Sequence, residues 1–119
     1  MLKRILMLDD SPDILDIVKE ALSYAKFEVN ITTDSENFME TIKNFKPDLL
    51  ILDYKLHGPK GDEICRQVKN SNQLFDIPVI ICSAYLNDGD TISCGCDAII
   101  VKPFGLDELM EKVNNLVYS

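Results

Sequence analysis

Short apolar runs recur along the chain, and each stops on a polar residue. Ile5-Leu6-Met7-Leu8 ends at Asp9-Asp10, Leu49-Leu50-Ile51-Leu52 ends at Asp53, and the run over 77–82 ends at Ser83. Runs this short and unbroken read as strands buried on both faces, as in the middle of a parallel sheet. The first of them predicts a strand over 4–9. The period then changes. Ser11-Pro12 is a hydroxyl cap followed by proline at the first helical position. Ile14, Leu15, Val18, Ala21, Leu22 and Ala25 follow at three- and four-residue spacing, which is one helix face. Residues 27–32 alternate and predict a second strand. Ser35 is placed to cap a second helix with the face Phe38, Met39, Ile42 and Phe45, broken by Pro47-Asp48. A loop with Gly58, Pro59 and Gly61 leads to a third helix over 62–70. Residues 98–101 predict a fifth strand, ending at Lys102-Pro103. The last helix carries Leu106, Leu109, Met110, Val113, Leu116 and Val117.

Strand and helix thus alternate five times. That order predicts one α/β domain with a parallel sheet, right-handed crossovers and helices on both faces. The fourth repeat is the weak one. "NDGDTISCGCD" holds two glycines, β-branched Thr91 and Ile92 and several turn formers, so the fourth helix is expected to be short or irregular.

Composition narrows the function classes. With 119 residues, 46% hydrophobic and 27% charged, the chain suits a single globular domain over 1–119, with no linker or repeat inside it. Twenty acids against 12 bases give a net charge of −8, which repels phosphate backbones and argues against direct nucleic-acid binding. No apolar run nears the ~20 residues of a membrane span. The first residues lack a signal peptide's apolar region, so a cytoplasmic location away from membranes is expected. Cys65, Cys82, Cys94 and Cys96 are then expected as reduced thiols. Cys94-Gly95-Cys96 has no second Cys/His pair to complete a metal site, which favours plain core or loop residues.

The polar residues that end the strands belong together. Asp9-Asp10, Asp53, Ser83 and Lys102 each follow the carboxyl end of a different strand, and in an open parallel sheet those ends share one edge. Taken singly, Asp10 is a helix-cap neighbour, Asp53 a surface acid and Lys102-Pro103 a turn. Taken jointly they make a polar site. Clustered carboxylates suit a hard dication that keeps water and phosphate oxygens among its ligands, which describes Mg²⁺. The lysine can pair with a phosphoryl oxygen and the serine can donate to another. One aspartate can then accept the phosphoryl group as an acyl phosphate.

Over its whole length the chain resembles the receiver domain of bacterial two-component response regulators. The resemblance is carried by "LMLDDSPD", "PDLLILDYKL", "GDEICRQVK", "IPVIICSAY" and "DAIIVKPF". It implies a doubly wound, flavodoxin-like five-stranded sheet of order 2-1-3-4-5. It implies Asp53 as phosphoacceptor and Asp10 as a direct Mg²⁺ ligand, with Asp9 acting through water. The backbone carbonyl of Lys55 is implied as a further ligand, and Mn²⁺ as a substitute ion. Ser83 matches the hydroxyl that moves toward the phosphoryl group, Ala84 the small residue beside it, and Lys102 the family's lysine, with a cis bond to Pro103. The implied function is a switch rather than a turnover enzyme: it takes phosphate from a sensor histidine kinase or a histidine phosphotransfer protein. It catalyses its own phosphorylation and dephosphorylation, as a monomer or a phosphorylation-dependent dimer. No effector domain is expected in this chain, so either output passes to a protein partner or the chain is a piece of a longer protein.

The chain also departs from the family. Leu56 and His57 stand where Met-Pro is usual, with proline at Pro59 instead. Ile99 holds the position of the switch aromatic, three residues before Lys102. Rival functions fit less well. A degenerate receiver acting as an unphosphorylated scaffold does not need the full set Asp9, Asp10, Asp53, Ser83 and Lys102. A flavodoxin-like cofactor binder needs a small-residue phosphate loop after strand one, where two carboxylates stand. A haloacid-dehalogenase-type phosphatase needs its nucleophile after strand one, with a second acid two residues on.

Overall fold

A computed structural model describes residues 2–55, 60–83 and 95–118. Five strands, β1 (Arg4–Leu8), β2 (Glu28–Thr32), β3 (Leu49–Asp53), β4 (Val79–Ser83) and β5 (Ala98–Val101), form one parallel sheet in the order β2-β1-β3-β4-β5. Four helices lie among the described residues: α1 (Pro12–Tyr24), α2 (Phe38–Phe45), α3 (Gly61–Lys69) and α4 (Leu106–Val117). The pleat sorts the strand residues into two cores. Ile5, Met7, Leu49, Ile51, Ile80, Cys82 and Ile100 face α1 and α4, meeting Leu15, Val18, Leu22, Leu109 and Val113. Leu6, Leu8, Leu50, Leu52, Val79 and Ile81 face α2 and α3, meeting Phe38, Ile42, Ile64, Cys65 and Val68. All five residues of β3 and all five of β4 are buried, as their unbroken apolar runs require.

Strand order reverses between β1 and β3, which makes a crevice at their carboxyl ends. The start of α1 borders it. Ser11 is the N-cap, its Oγ accepting from Ile14 N at 3.4 Å, and Pro12 opens the helix. Far from the crevice, Asp97 ties three elements together. Its Oδ2 accepts from Val79 N and from Lys69 Nζ, each at 2.8 Å, which joins the starts of β4 and β5 to the end of α3.

Several expectations are corrected at element ends. Ser35 does not cap α2: the N-cap is Asn37, and Asp34 Oδ1 accepts from the backbones of Glu36 and Asn37 at 3.1 and 3.2 Å. An aspartate accepts such turn bonds better than a serine, and it stands three residues before Asn37. β1 stops at Leu8, not Asp9. β2 begins at Glu28, because Phe27 N is still bonded to Leu22 O in the turn that ends α1. β4 begins at Val79, since Ile77 N closes a turn onto Leu74 O and Pro78 has no N–H to give. Ala25 is the exposed C-cap of α1 rather than part of its buried face, and Leu106 is 40% exposed at the start of α4. The expected short fourth helix and Cys94 fall outside the described residues. Cys65, Cys82 and Cys96 are not in disulfides.

Candidate functional site

The same pleat that divides the cores assembles the site. Asp9, Asp53 and Lys102 each stand two residues past a core residue of the α1–α4 layer: Met7, Ile51 and Ile100. All three therefore project on that side of the sheet, at the carboxyl edge. Lys102 Nζ lies 3.0 Å from Asp9 Oδ2 and 3.3 Å from Asp53 Oδ1, joining residues 93 positions apart. Asp9 is 1% exposed and Asp53 8%. Asp9 is held from both sides, because its Oδ1 also accepts from Ser11 N at 2.9 Å. The Lys102–Pro103 peptide is cis, as the resemblance implied.

Burial raises the Asp53 carboxyl above its ordinary value. The charge of Asp9 and, more weakly, that of Asp10 add to the rise, while the Lys102 ammonium opposes it. Burial alone would lower Lys102, but its hydrogen bond to Asp9 and the charges of Asp9 and Asp53 outweigh that and hold it above its ordinary value. Cys82, beside Asp53 in the β3–β4 register, is pushed up to about 12, chiefly by burial, and is chemically quiet.

Ser83 ends β4, is buried, and its carbonyl accepts from Lys102 N at 2.8 Å. It has the parity of the α2–α3 layer, two residues past Ile81, whose register partner is Ile99. Ile99 is half-buried in that same layer. Lys55 is exposed, two residues beyond Asp53. Ala84, Leu56, His57 and Pro59 lie outside the described residues.

The donor set suits a hard dication, though not as a closed cage. Among the described residues no three Asp, Glu, His or Cys side chains surround one point. Mg²⁺ asks for less, since it binds through one or two carboxylates and fills its remaining octahedral positions with water and substrate oxygens. Asp9 and Asp10 both raise Asp53, and these three acids against a single ammonium leave an excess of negative charge for it to relieve.

Gly61 was expected as a loop residue and as the first residue of the "GDEICRQVK" resemblance, and its close approach to β3 was not foreseen. It opens α3 and its N–H donates to Tyr54 O at 3.1 Å, directly after Asp53. A Cβ built on it would overlap the Asp53 carbonyl oxygen and stand 3.2 Å from Tyr54 Cα. The available signal was a glycine immediately before the acidic first turn of a helix.

Residues 5–114 match the response regulator receiver domain family. Over 117 residues the chain is 27% identical to the response regulator MprA of Mycobacterium leprae, covering 96% of this chain and 50% of that protein. It is 31% identical to the transcriptional regulator RpaA of Synechocystis, covering 96% and 48%. The chain thus spans about half the length of the curated relatives it matches. The response regulator TrrA of Thermotoga maritima, solved in complex with Mg²⁺ and BeF, is 33% identical with a TM-score of 0.85, covering 97% of this chain and 99% of that one. The match of 5–114, on a sheet of this order with this acid–lysine edge, makes the chain a member of the response regulator receiver domain family.

Proposed function

We propose that the chain is a phosphorylation-dependent signalling switch whose phosphoacceptor is Asp53. One observation carries this: Lys102 Nζ bridges Asp9 and Asp53 at 3.0 and 3.3 Å on the crevice edge of the sheet. An Asp53 carboxylate oxygen attacks the phosphorus of a phosphohistidine. The N–P bond breaks, its electron pair returns to the imidazole, and an acyl phosphate forms on Asp53. Lys102 is placed to follow the phosphoryl oxygens while keeping its bond to Asp9. Asp10, Asp53 and the Lys55 carbonyl would hold Mg²⁺, with Asp9 acting through water. Mg²⁺ supplies charge neutralisation for the phosphoryl oxygens.

Ser83 and Ile99 share the layer through which a change at the site reaches β5. An aliphatic Ile99 transmits it by shifts in packing rather than by swinging an aromatic ring. The donor is a sensor histidine kinase or a histidine phosphotransfer protein. An apolar groove of about 390 Å³, lined by Ile14, Ile17, Val18, Pro103, Phe104 and Leu106, opens beside Lys102 and suits such a donor's docking helix. The setting is the cytoplasm, where such donors display their phosphohistidine.

Incubation with Mg²⁺ and acetyl phosphate, followed by intact mass, tests the proposal. One labile phosphoryl group is expected on the parent, and none on Asp53→Asn or without Mg²⁺. Uptake that persists in Asp53→Asn overturns the assignment. No uptake from acetyl phosphate or from any kinase, on folded protein, favours an unphosphorylated scaffold.

A further inference from the structure

The start of α3 approaches the phosphoacceptor strand more closely than any side chain at that point would allow. Gly61 has ordinary negative-φ backbone, unlike Gly95 at +83°, so its dihedral angles do not call for glycine. Space does. The atoms a Cβ would strike are backbone atoms, the carbonyl of Asp53 and the Cα of Tyr54, and these cannot rotate away. The next residue is pinned from both sides. Tyr54 N donates to Cys82 O at 2.8 Å, extending the ladder one step past β3, and Tyr54 O accepts from Gly61 N at 3.1 Å. Lys55 follows directly, so the Tyr54–Lys55 peptide, whose carbonyl Gly61 N holds, fixes where the Lys55 N and Cα stand, and the peptide before it is held by β4 through Tyr54 N.

We infer that Gly61 is a positioning residue for the cation-binding mouth: its missing side chain lets α3 clamp Tyr54 and so aims the Lys55 carbonyl and the Asp53 backbone. The inference rests on the proposed roles of Asp53 and Lys55. In Gly61→Ala the start of α3 must move off Asp53, the Gly61–Tyr54 bond lengthens, and the Lys55 carbonyl loses its fixed aim. Outer supports of a metal site act on affinity in this way without touching the ion.

The test compares the parent with Gly61→Ala and with Val113→Ala, which opens a cavity in the α1–α4 layer away from α3. Mg²⁺ is titrated by amide chemical shifts, and phosphoryl uptake from acetyl phosphate is followed by mass. Gly61→Ala is expected to weaken Mg²⁺ binding about tenfold and to slow uptake by a similar factor. Val113→Ala, although less stable, should stay within about twofold of the parent on both measures, because its cavity lies outside the mouth. A folded Gly61→Ala that matches the parent in Mg²⁺ affinity overturns the inference. So does a Val113→Ala that loses as much as Gly61→Ala. Should Gly61→Ala fail to fold, hydrogen exchange on the parent decides: the Gly61 amide is expected to be protected and to slow further with Mg²⁺, and exchange that Mg²⁺ leaves unchanged overturns the inference. A parent that neither binds Mg²⁺ nor takes up phosphate overturns the underlying proposal instead, whatever the variants do.

Discussion

At the scale of single residues, the site is a charge imbalance held in place by burial. Lys102 is the counter-charge to two acids, and Asp9 has almost no contact with water. Lys102→Met should therefore destabilise the fold by about 3 kcal/mol, because it strands Asp9 beside Asp53. Added Mg²⁺ should restore part of that loss, and denaturant melts with and without Mg²⁺ would show it. Asp53 is the opposite case. Its native carboxyl titrates above the unfolded one, through burial first and Asp9 second. Its contribution to stability is complete below the unfolded value and is lost as pH rises through the native value. Asp53→Asn removes that loss. It should be more stable than the parent at neutral pH by on the order of 1 kcal/mol, roughly 4 °C in Tm, with the gap closing as pH falls toward 4. Equal Tm values at pH 7, measured without Mg²⁺, would contradict this. The acids and the lysine were legible in the sequence because each ends an apolar run. The role of Gly61 was not, because a glycine before a helix does not say which backbone it will press against.

At the scale of elements, the strands that read as unbroken apolar runs were found with little error. Their ends were the weak point, because turns beside them compete for the same N–H groups. Asp97 shows what local pattern misses. It precedes β5 with no periodic signal, yet it accepts from Val79 N at the start of β4 and pairs with Lys69 at the end of α3, each at 2.8 Å. Asp97→Ala leaves the Val79 N–H without its acceptor and removes the counter-charge of Lys69, whose Nζ keeps the Ile77 carbonyl at 2.9 Å. The cost should be about 2 kcal/mol, or roughly 8 °C in Tm. Asp97→Asn keeps an oxygen for Val79 N and should lose about half as much. Thermal melts of the pair separate the hydrogen bond from the charge, and equal losses would show that the charge is what matters.

At the scale of the whole molecule, a net charge of −8 with three acids on one edge means that dication binding at the proposed site would be linked to stability. Free Mg²⁺ at about 100 times its Kd should raise stability by about 2.7 kcal/mol, near 10 °C in Tm. EDTA should reverse the rise and Asp10→Asn should reduce it. A Tm indifferent to Mg²⁺ would count against the proposed ligand set. The reversal of strand order between β1 and β3 explains why the acids gather at that edge and not at the other.

By itself the sequence determined the class of fold, most of the apolar positions that fill the core, and Asp9, Asp53 and Lys102 as polar residues that meet at one sheet edge. Each of these follows from periodicity and from what ends each run, and both are local properties of the chain. Only the tertiary structure decided how the site is arranged. Side-chain parity put Asp9, Asp53 and Lys102 on one side of the sheet, with Ser83 carrying the parity of the other layer. A close approach of α3 to β3 made a glycine necessary at position 61. Such facts depend on where distant segments meet, and contact between distant segments leaves no periodic trace in either one.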